Sequence, residues 1–583
     1  MNGYKSNYHL ERKFREFSDM RDLLRESAEK YSEKVAYITK IKGPKKEVNY
    51  IKTTYKSLLR QVEELGTALL DYGLKGERIA ILGENSFHWC LAWLSVPSGV
   101  GVVVPLDKGL PPEELSSLIK RSNAKAVFAD SKYFDVLESI RDSGETNLSM
   151  IFGLDKAPEG SMDVGEIMAR GAELLDSGDR SYVDAEINRE EMSYLLFTSG
   201  TTQQAKGVML SHKNLMSVNY GMNLEEYFVP DDVCMLFLPL HHIYGAQGMV
   251  TFLSQGITNV FCDGIKYISA NFKEYGVSVM MVVPLLLEKV YKKIMKGVEK
   301  EGKLATLEKG KKICAASEKI GIYLRRKIFK QIIDNLGGRM RFFISGAAPL
   351  DPVVAKGLND LGILTVSGYG LTETAPTIAS ETYRYIKAGS VGKQLTNLEI
   401  KIDEPNEEGI GELLVKGDGV MLGYYNDKEA TDQVLEPSGW FHTGDLAHID
   451  SDGYVFICGR KKNVIVLKNG KNVFPEEIEE LVNRLPYVSE SMLFPRSKNN
   501  DLSLWLKVVC DDEYLKENGV TLVDLEAKFK EDLEAINNSM PSYKTVNRFY
   551  LSDVPTIKTT TAKTKRTEEM KVIEKELEER GLL

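Results

Sequence analysis

The chain has 583 residues, with 75 Lys and Arg against 84 Asp and Glu, a formal charge of −9. At roughly 150 residues per domain this length holds about four structural units and excludes a single small module, while the negative balance disfavours a general nucleic-acid binder, whose footprint is basic. With 43% hydrophobic and 27% charged residues, the composition is that of a globular protein with a sizeable core, which excludes wholesale disorder and fibrous repeats.

The N-terminus, MNGYKSNYHLERKFREF, has no apolar core region and no small-residue cleavage site, so it does not read as a secretory signal. Cys90, Cys234, Cys262, Cys314, Cys458 and Cys510 are far apart and form no CxxC pair, which argues against a zinc site or a disulfide framework and for reduced thiols in a cytoplasm. From Lys34 to about Leu364, short runs rich in Val, Ile and Phe (KVAYITK, RIAILGEN, GVGVVVPLD, AKAVFAD, VCMLFLPL, VSVMMVVP, RMRFFISG) alternate with longer charged stretches of helical period. That alternation predicts an α/β fold of βαβ units around parallel sheets, with ligands at the carboxyl ends of the strands. The apolar stretch Trp89 to Leu106 is broken by Pro97, Gly99 and Gly101, and reads as a buried helix, turn and strand rather than a membrane span.

Further along, Met295 to Arg339 is rich in Lys, Glu, Ala and Ile, and predicts one or two amphipathic helices inserted before the next strand. Short strands with Gly, Asn and Asp turns then predict a β-rich subdomain over 389–460. A new mixed pattern follows, so the expected division is an N-terminal domain of 1–462 that contains this subdomain and a C-terminal domain of 463–583.

The strongest chemical signal follows an apolar strand: Thr198-Ser199-Gly200-Thr201-Thr202-Gln203-Gln204-Ala205-Lys206-Gly207. Small residues let backbone N–H groups approach an anion, hydroxyls add donors or a metal ligand, and Lys206 supplies charge, so the segment is a candidate phosphate cradle. It does not meet the generic nucleotide pattern of GxxxxGK followed by Ser or Thr, because Ala205 precedes the Lys and Gly207 follows it. Seven more segments stand out in order: Leu238-Pro-Leu-His-His242-Ile-Tyr-Gly245, Ser345-Gly346-Ala347-Ala-Pro-Leu350, Gly368-Tyr369-Gly-Leu-Thr372-Glu373, Trp440-Phe-His-Thr-Gly-Asp445, Gly459-Arg460-Lys-Lys462, Asn469-Gly-Lys-Asn-Val-Phe-Pro-Glu-Glu-Ile478 and Lys558-Thr-Thr-Thr-Ala-Lys563-Thr-Lys-Arg566. Taken alone, HTGD reads equally as a hairpin turn, and Lys563 as a solvated basic residue among Lys558, Lys565 and Arg566.

Together these eight segments resemble, across almost the whole chain, the adenylate-forming superfamily that contains acyl-CoA synthetases, peptide-synthetase adenylation domains and luciferase. The resemblance implies a large N-terminal domain of parallel-type sheets with flanking helices plus the small β subdomain, and a smaller mobile α+β C-terminal domain. It implies that ATP and Mg2+ are held by Thr198, Ser199, Gly200, Thr201, Thr202, Lys206, Gly346 and Ala347, with Tyr369 against adenine, Thr372 near the α-phosphate, Thr201 and Glu373 at the metal, and Asp445 with Arg460 on the ribose. His242 falls near the acyl carboxylate or the thioester-forming site. Lys563 bridges carboxylate and α-phosphate, where its charge offsets the repulsion of two anions, and Lys462 is the hinge about which the C-terminal domain swivels between half-reactions.

The chain departs from the family's usual residues at Gln203, Ala205, Asn463 and Ala562. The continuous match, the helical insertion and VPLLLEKVYKKI look most like the long-chain fatty acyl-CoA synthetase branch, a fatty acid–CoA ligase in which coenzyme A is the acceptor. Val282, Val283, Leu285, Leu286 and Leu287 are candidate acyl-tunnel residues, with plain core as the alternative. Two other readings stay open: transfer to an acyl carrier protein, with the basic segment Lys558 to Arg566 as docking surface, and a non-catalytic nucleotide or fatty-acid binding relative. The expected location is the cytoplasm, with a peripheral contact at the inner face of the membrane left open.

Overall fold

Runs of Val, Ile, Ala and Phe that bury both faces cannot tolerate unpaired backbone groups, so they pair with one another and are covered by helices. The computed structural model describes residues 14–43, 47–198, 205–226, 228–467, 471–498, 501–558 and 564–582. Within them the strands are β1 (Val35–Lys42), β2 (Val48–Thr54), β3 (Arg78–Leu82), β4 (Val102–Pro105), β5 (Ala126–Ala129), β6 (Met150–Gly153), β7 (Met192–Thr198), β8 (Lys206–Ser211), β9 (Val233–Leu236), β10 (Thr258–Phe261), β11 (Val279–Val282), β12 (Phe342–Ser345) and β13 (Leu364–Tyr369). They continue with β14 (Ala379–Ser380), β15 (Lys393–Gln394), β16 (Glu399–Asp403), β17 (Gly411–Lys416), β18 (Gly423–Tyr424), β19 (Phe441–Ile449) and β20 (Val455–Arg460). All seven apolar runs read from the sequence are strands.

The chain divides into two compact units. The first takes in the described residues up to Ile400 together with Val415–Phe441; the second takes in Lys401–Leu414 and the described residues from His442 onward. The first unit holds a nine-stranded sheet of order β15-β14-β13-β12-β11-β9-β10-β1-β2 and a seven-stranded sheet of order β18-β8-β7-β4-β3-β5-β6. In the nine-stranded sheet β9 to β13, with β1, run parallel, as βαβ crossovers require. The stretch from Trp89 folds as expected: helix Phe87–Ser95, a turn over Val96–Val100 containing Pro97, then β4. No helix among the described residues is long and apolar enough to cross a membrane.

The second unit holds a four-stranded sheet, β16-β17-β19-β20, the short pair β21 (Ile465–Val466) and β22 (Asn472–Val473), and a three-stranded sheet of β23 (Val488–Lys498), β24 (Asp501–Cys510) and β25 (Val546–Ser552). Helices Pro475–Asn483, Leu522–Ser539 and Arg566–Glu579 flank the last of these.

The inserted segment is more broken than one or two helices. Pro284–Lys300 extends into it, Leu304–Lys319 follows, and two short helices, Arg325–Ile328 and Lys330–Asn335, complete it. Gly302 (φ 66°) and Gly321 (φ 77°) occupy left-handed backbone just beyond the two long helices and end them.

Behind the nine-stranded sheet Glu226 is fully buried, and burial pushes its carboxyl up to about 8 even though its Oε1 accepts from the Ser380 hydroxyl at 2.8 Å. The folded state therefore holds this proton more tightly than the unfolded chain, whose carboxyl titrates near 4.5. The resulting stability is present in full below that value and is lost as pH rises through about 8. Glu226→Gln, which keeps the neutral shape, is expected to flatten the fall in Tm between about pH 4.5 and 8; parallel Tm–pH curves for the two proteins over that range would contradict this.

Candidate functional site

The carboxyl ends of adjacent parallel strands gather the sequence motifs of the first unit. β9 leads into Leu238–His242, β12 into Gly346–Ala347, and β13 ends at Tyr369 before Thr372 and Glu373; β12 and β13 pair in register, Ser345 opposite Ser367. Ligands bind at such ends because helices begin and loops converge there.

Close approach selects the small residues. A Cβ on Gly346 would lie 2.8 Å from Tyr244 Cζ, and one on Gly370 would lie 1.7 Å from the Pro376 carbonyl oxygen. Ala347 holds left-handed backbone at φ 70°, a strain that β-carbon residues bear mainly at functional sites. Thr372 and Glu373 lie in a single 3-10 turn, Thr372–Thr374, closed by the Thr374 hydroxyl, which accepts from Leu371 N–H at 3.0 Å.

His242 caps helix Ile243–Ser254 through its carbonyl, which accepts from Ala246 N–H at 3.1 Å, and its ring lies 4.3 Å from that of His241. His241 faces Asp107 at 3.6 Å, and burial holds its imidazole below the ordinary range. Asn85, not singled out in the sequence, fixes this loop: its amide donates to Leu238 O at 2.7 Å and accepts from Leu240 N–H at 3.1 Å.

Lys206 opens β8, opposite Thr198 at the end of β7, so the two strands form the stem of the candidate phosphate loop. Its ammonium lies 4.6 Å from the centre of the Tyr424 ring, a cation–π contact. The Tyr424 hydroxyl in turn donates to Glu373 Oε1 at 2.9 Å, and the Glu373 carbonyl accepts from Met421 N–H at 2.9 Å. Two residues selected from distant motifs are thus joined by a third that sequence reasoning missed. The signal for Tyr424 was weak, since an aromatic pair in MLGYYN reads as ordinary strand packing.

The first unit also encloses a small, largely apolar cavity of about 10 Å³, room for about one water, whose walls include Phe228, Tyr244, Phe252, Met281, Ile344 and Pro376. Tyr244 follows His242 by two residues and Ile344 precedes Gly346 by two, so two motif segments contribute to its wall. The expected tunnel residues do not line it: Val282 and Leu287 are wholly buried core, Leu285 is exposed, and Met281, on the opposite face of the same strand, takes their place. Helix Ile243–Ser254 approaches closely there, since a Cβ on Gly248 would meet Met281 Sδ at 1.9 Å.

In the second unit HTGD is not a hairpin turn. Asp445 lies within β19, buried, directly opposite Arg460 of β20, whose Nε donates to Asp445 Oδ1 at 2.8 Å. Gly444, in left-handed backbone at φ 70°, donates its N–H to Glu412 at 3.0 Å, and Glu412 also receives Lys461 at 2.8 Å. Lys462 sits in a short 3-10 helix, Lys461–Asn463, where burial and then the charge of Arg460 hold its ammonium below the ordinary range. Asn463 donates its amide to Glu476 at 2.7 Å; an Asp here would set two carboxylates against each other, which accounts for this departure from the family pattern.

Ser199, Gly200, Thr201, Thr202, Gln203, Asn469, Ala562 and Lys563, with the N-terminal segment 1–13, lie outside the described residues. The described segments on either side of Lys563 are anchored. Lys558 pairs with Glu490 at 2.5 Å, Ile557 N–H donates to Glu569 at 2.8 Å, and Arg566 donates to Leu493 O at 3.1 Å. Glu569 is itself held at 2.8 Å by Lys507, both side chains being 0% exposed, a buried pair that is costly to break from one side.

Tyr424→Phe removes one hydrogen bond to a carboxylate, worth about 1.5–3 kcal/mol, without disturbing the ring under Lys206. It is expected to lower the turnover of ATP about tenfold or more and to raise the magnesium concentration needed for half-maximal rate; an unchanged magnesium dependence would remove Tyr424 from the orientation of Glu373.

Residues 24–425 match the family described as AMP-binding enzyme. Among curated relatives, the chain is 28% identical over 531 residues to the peroxisomal long chain acyl-CoA synthetase 7 of Arabidopsis thaliana, covering 86% of this chain and 75% of that one. It is 27% identical over 557 residues to the chloroplastic long-chain-fatty-acid–[acyl-carrier-protein] ligase AEE15 of the same plant, covering 83% and 75%. Among solved structures, ATP-bound MatB from Rhodopseudomonas palustris superposes with a TM-score of 0.72 at 23% identity, over 96% of this chain and 99% of that one.

Proposed function

The chain belongs to the AMP-binding enzyme family, and from that premise we propose that it is a fatty acid–CoA ligase working in two half-reactions. In the first, a carboxylate oxygen of the fatty acid attacks the α-phosphorus of ATP and pyrophosphate leaves. In the second, the thiol sulfur of coenzyme A attacks the acyl carbonyl, its proton passes to solvent and AMP leaves. Relatives named as long-chain acyl-CoA synthetases support this acid and this acceptor.

The observation that carries the reading is the Lys206–Tyr424–Glu373 array at the stem of the candidate phosphate loop. The approach of a carboxylate to a triphosphate needs positive charge and oriented donors on one side and an apolar chain site on the other. Lys206 supplies charge at the stem of the phosphate loop. Glu373 is a lone half-buried carboxylate, which suits Mg2+, an ion that takes one or two carboxylates plus substrate phosphates. When bound, the metal neutralises charge between the phosphates. Thr201 is proposed as its second protein ligand, with Ser199, Gly200 and Thr202 as phosphate donors and Thr198 at their base. Gly346, Ala347 and Tyr369 take the adenine side, Thr372 the α-phosphate, and His242 the acyl carboxylate. Asp445, fixed by Arg460, accepts from the ribose hydroxyls. Lys563 acts in the first half-reaction and Lys462 is the hinge between a body ending at 462 and one beginning at 463.

Exchange of labelled pyrophosphate into ATP tests the reading. Exchange that requires fatty acid and magnesium but not coenzyme A is expected; release of ADP, or exchange without an acid, would contradict it. The relative named as an acyl-carrier-protein ligase makes a carrier thiol the second acceptor to assay, with holo-carrier protein in place of coenzyme A.

A further inference from the structure

A protein of net charge −9 carries, between Pro284 and Lys330, fourteen Lys and Arg against five Glu and no Asp. The cations are therefore concentrated in the helical insertion while the rest of the chain is acidic. Helix Leu304–Lys319 turns Leu307, Gly310 and Cys314 inward, onto a small core with Phe329 and Leu361. Gly310 makes that contact close, since a Cβ there would lie 3.2 Å from Phe329.

The opposite side is neither purely polar nor paired. Lys309, Lys312 and Lys319 are exposed and form no ion pair among the described residues, whereas Lys311 on the flank is held by Glu308 at 2.8 Å. Between them stand Ile313 and Ile320, seven residues apart and hence on one face, with Ile322 just beyond; they are 46%, 75% and 49% exposed. An aliphatic side chain three-quarters exposed costs hydration free energy that a plain solvated face avoids, and alternating lysines keep the patch from pairing with a copy of itself.

We propose that this face of the insertion docks on an anionic lipid bilayer, the lysines at the phosphate headgroups and Ile313, Ile320 and Ile322 at the acyl boundary. Basic helices bearing aliphatic residues bind such interfaces through both terms together. An acidic protein partner would satisfy the lysines but gives no reason for three protruding isoleucines. The inference is independent of the ligase reading, because it concerns residues that reading does not use and is read out by binding rather than turnover.

The test is flotation of the full chain with vesicles of phosphatidylcholine alone or containing one quarter phosphatidylglycerol. Binding only to the anionic vesicles is expected at about 0.1 M salt, with loss at about 1 M, where the screening length falls to about 3 Å. The triple change Lys309→Glu, Lys312→Glu, Lys319→Glu is expected to weaken partitioning by about 100-fold or more, at roughly fivefold per lysine. Ile320→Ser with Ile322→Ser is expected to weaken it by about tenfold or more at unchanged salt dependence. Far-UV circular dichroism and the thermal midpoint should stay at the parent level in both variants and report that they fold. Wild-type protein that stays below the anionic vesicles, or a triple variant that floats like the parent, would overturn the proposal. Saturable binding of an acidic acyl carrier protein that competes with the vesicles and is lost in the lysine variant but kept in the isoleucine variant would reassign the face to that partner.

Discussion

Lys563→Ala is expected to lower acyl-adenylate formation by about 10²-fold or more while leaving thioester formation from supplied acyl-adenylate much less affected. Removing a charge that acts between two anions in the transition state commonly costs that much, and the loss falls on the step in which both anions are present. The surrounding structure isolates the effect. Lys558–Glu490, Ile557–Glu569 and the buried Lys507–Glu569 pair hold the segments on either side of Lys563, so the second unit is expected to stay folded on truncation. Burst kinetics of adenylate formation, beside single-turnover thioester formation from synthetic acyl-adenylate, separate the two steps. Equal losses in both would refute the assignment of Lys563 to the first half-reaction.

Lys462→Pro is expected to do the reverse: near-normal adenylate formation and a thioester step slowed by about tenfold or more. The residue lies in a 3-10 turn, whose φ of about −50° to −70° a proline ring accepts at about −65°, but the ring then forbids the large change of φ that a hinge requires. Fixed φ therefore penalises one of two conformations rather than the fold. Thioester kinetics equal to the parent's would remove Lys462 from the hinge role, and an equal fall in both half-reactions would indicate a local packing defect instead.

What the sequence made legible follows from the range of the forces involved. Strands of the two large sheets are buried on both faces, so runs such as RIAILGEN and VSVMMVVP declare themselves locally, and the breaks at Pro97 and in the glycine-rich turn after it told helix from strand. The number of helices in the insertion depended on two exposed glycines, Gly302 and Gly321, whose left-handed backbone ends a helix but which read equally as glycines tolerated within a helical pattern. The Lys206–Tyr424–Glu373 array joins residues hundreds or tens of positions apart, and nothing at Tyr424 distinguishes it from a core aromatic until β18 is laid beside β8. Tunnel and plain core stayed open readings of this segment for a related reason. In VMMVVPLLL every residue is apolar, and only the alternation of the strand decides that Met281 faces the cavity while Val282 faces the core. HTGD read equally as turn or clamp because the pairing of Asp445 with Arg460 is made across two strands, not within the motif. The Asn463 departure became intelligible only with Glu476 beside it.

The central claim, that the chain adenylates a fatty acid and hands it to coenzyme A, is tested most directly by AMP release from ATP and magnesium across carboxylic acids from short to long, each with and without coenzyme A. The account predicts turnover that depends on coenzyme A and peaks with medium or long acyl chains. Slow, single-turnover adenylate formation unaffected by coenzyme A would contradict the acceptor and point to a carrier thiol, and no AMP with any acid would contradict the ligase itself.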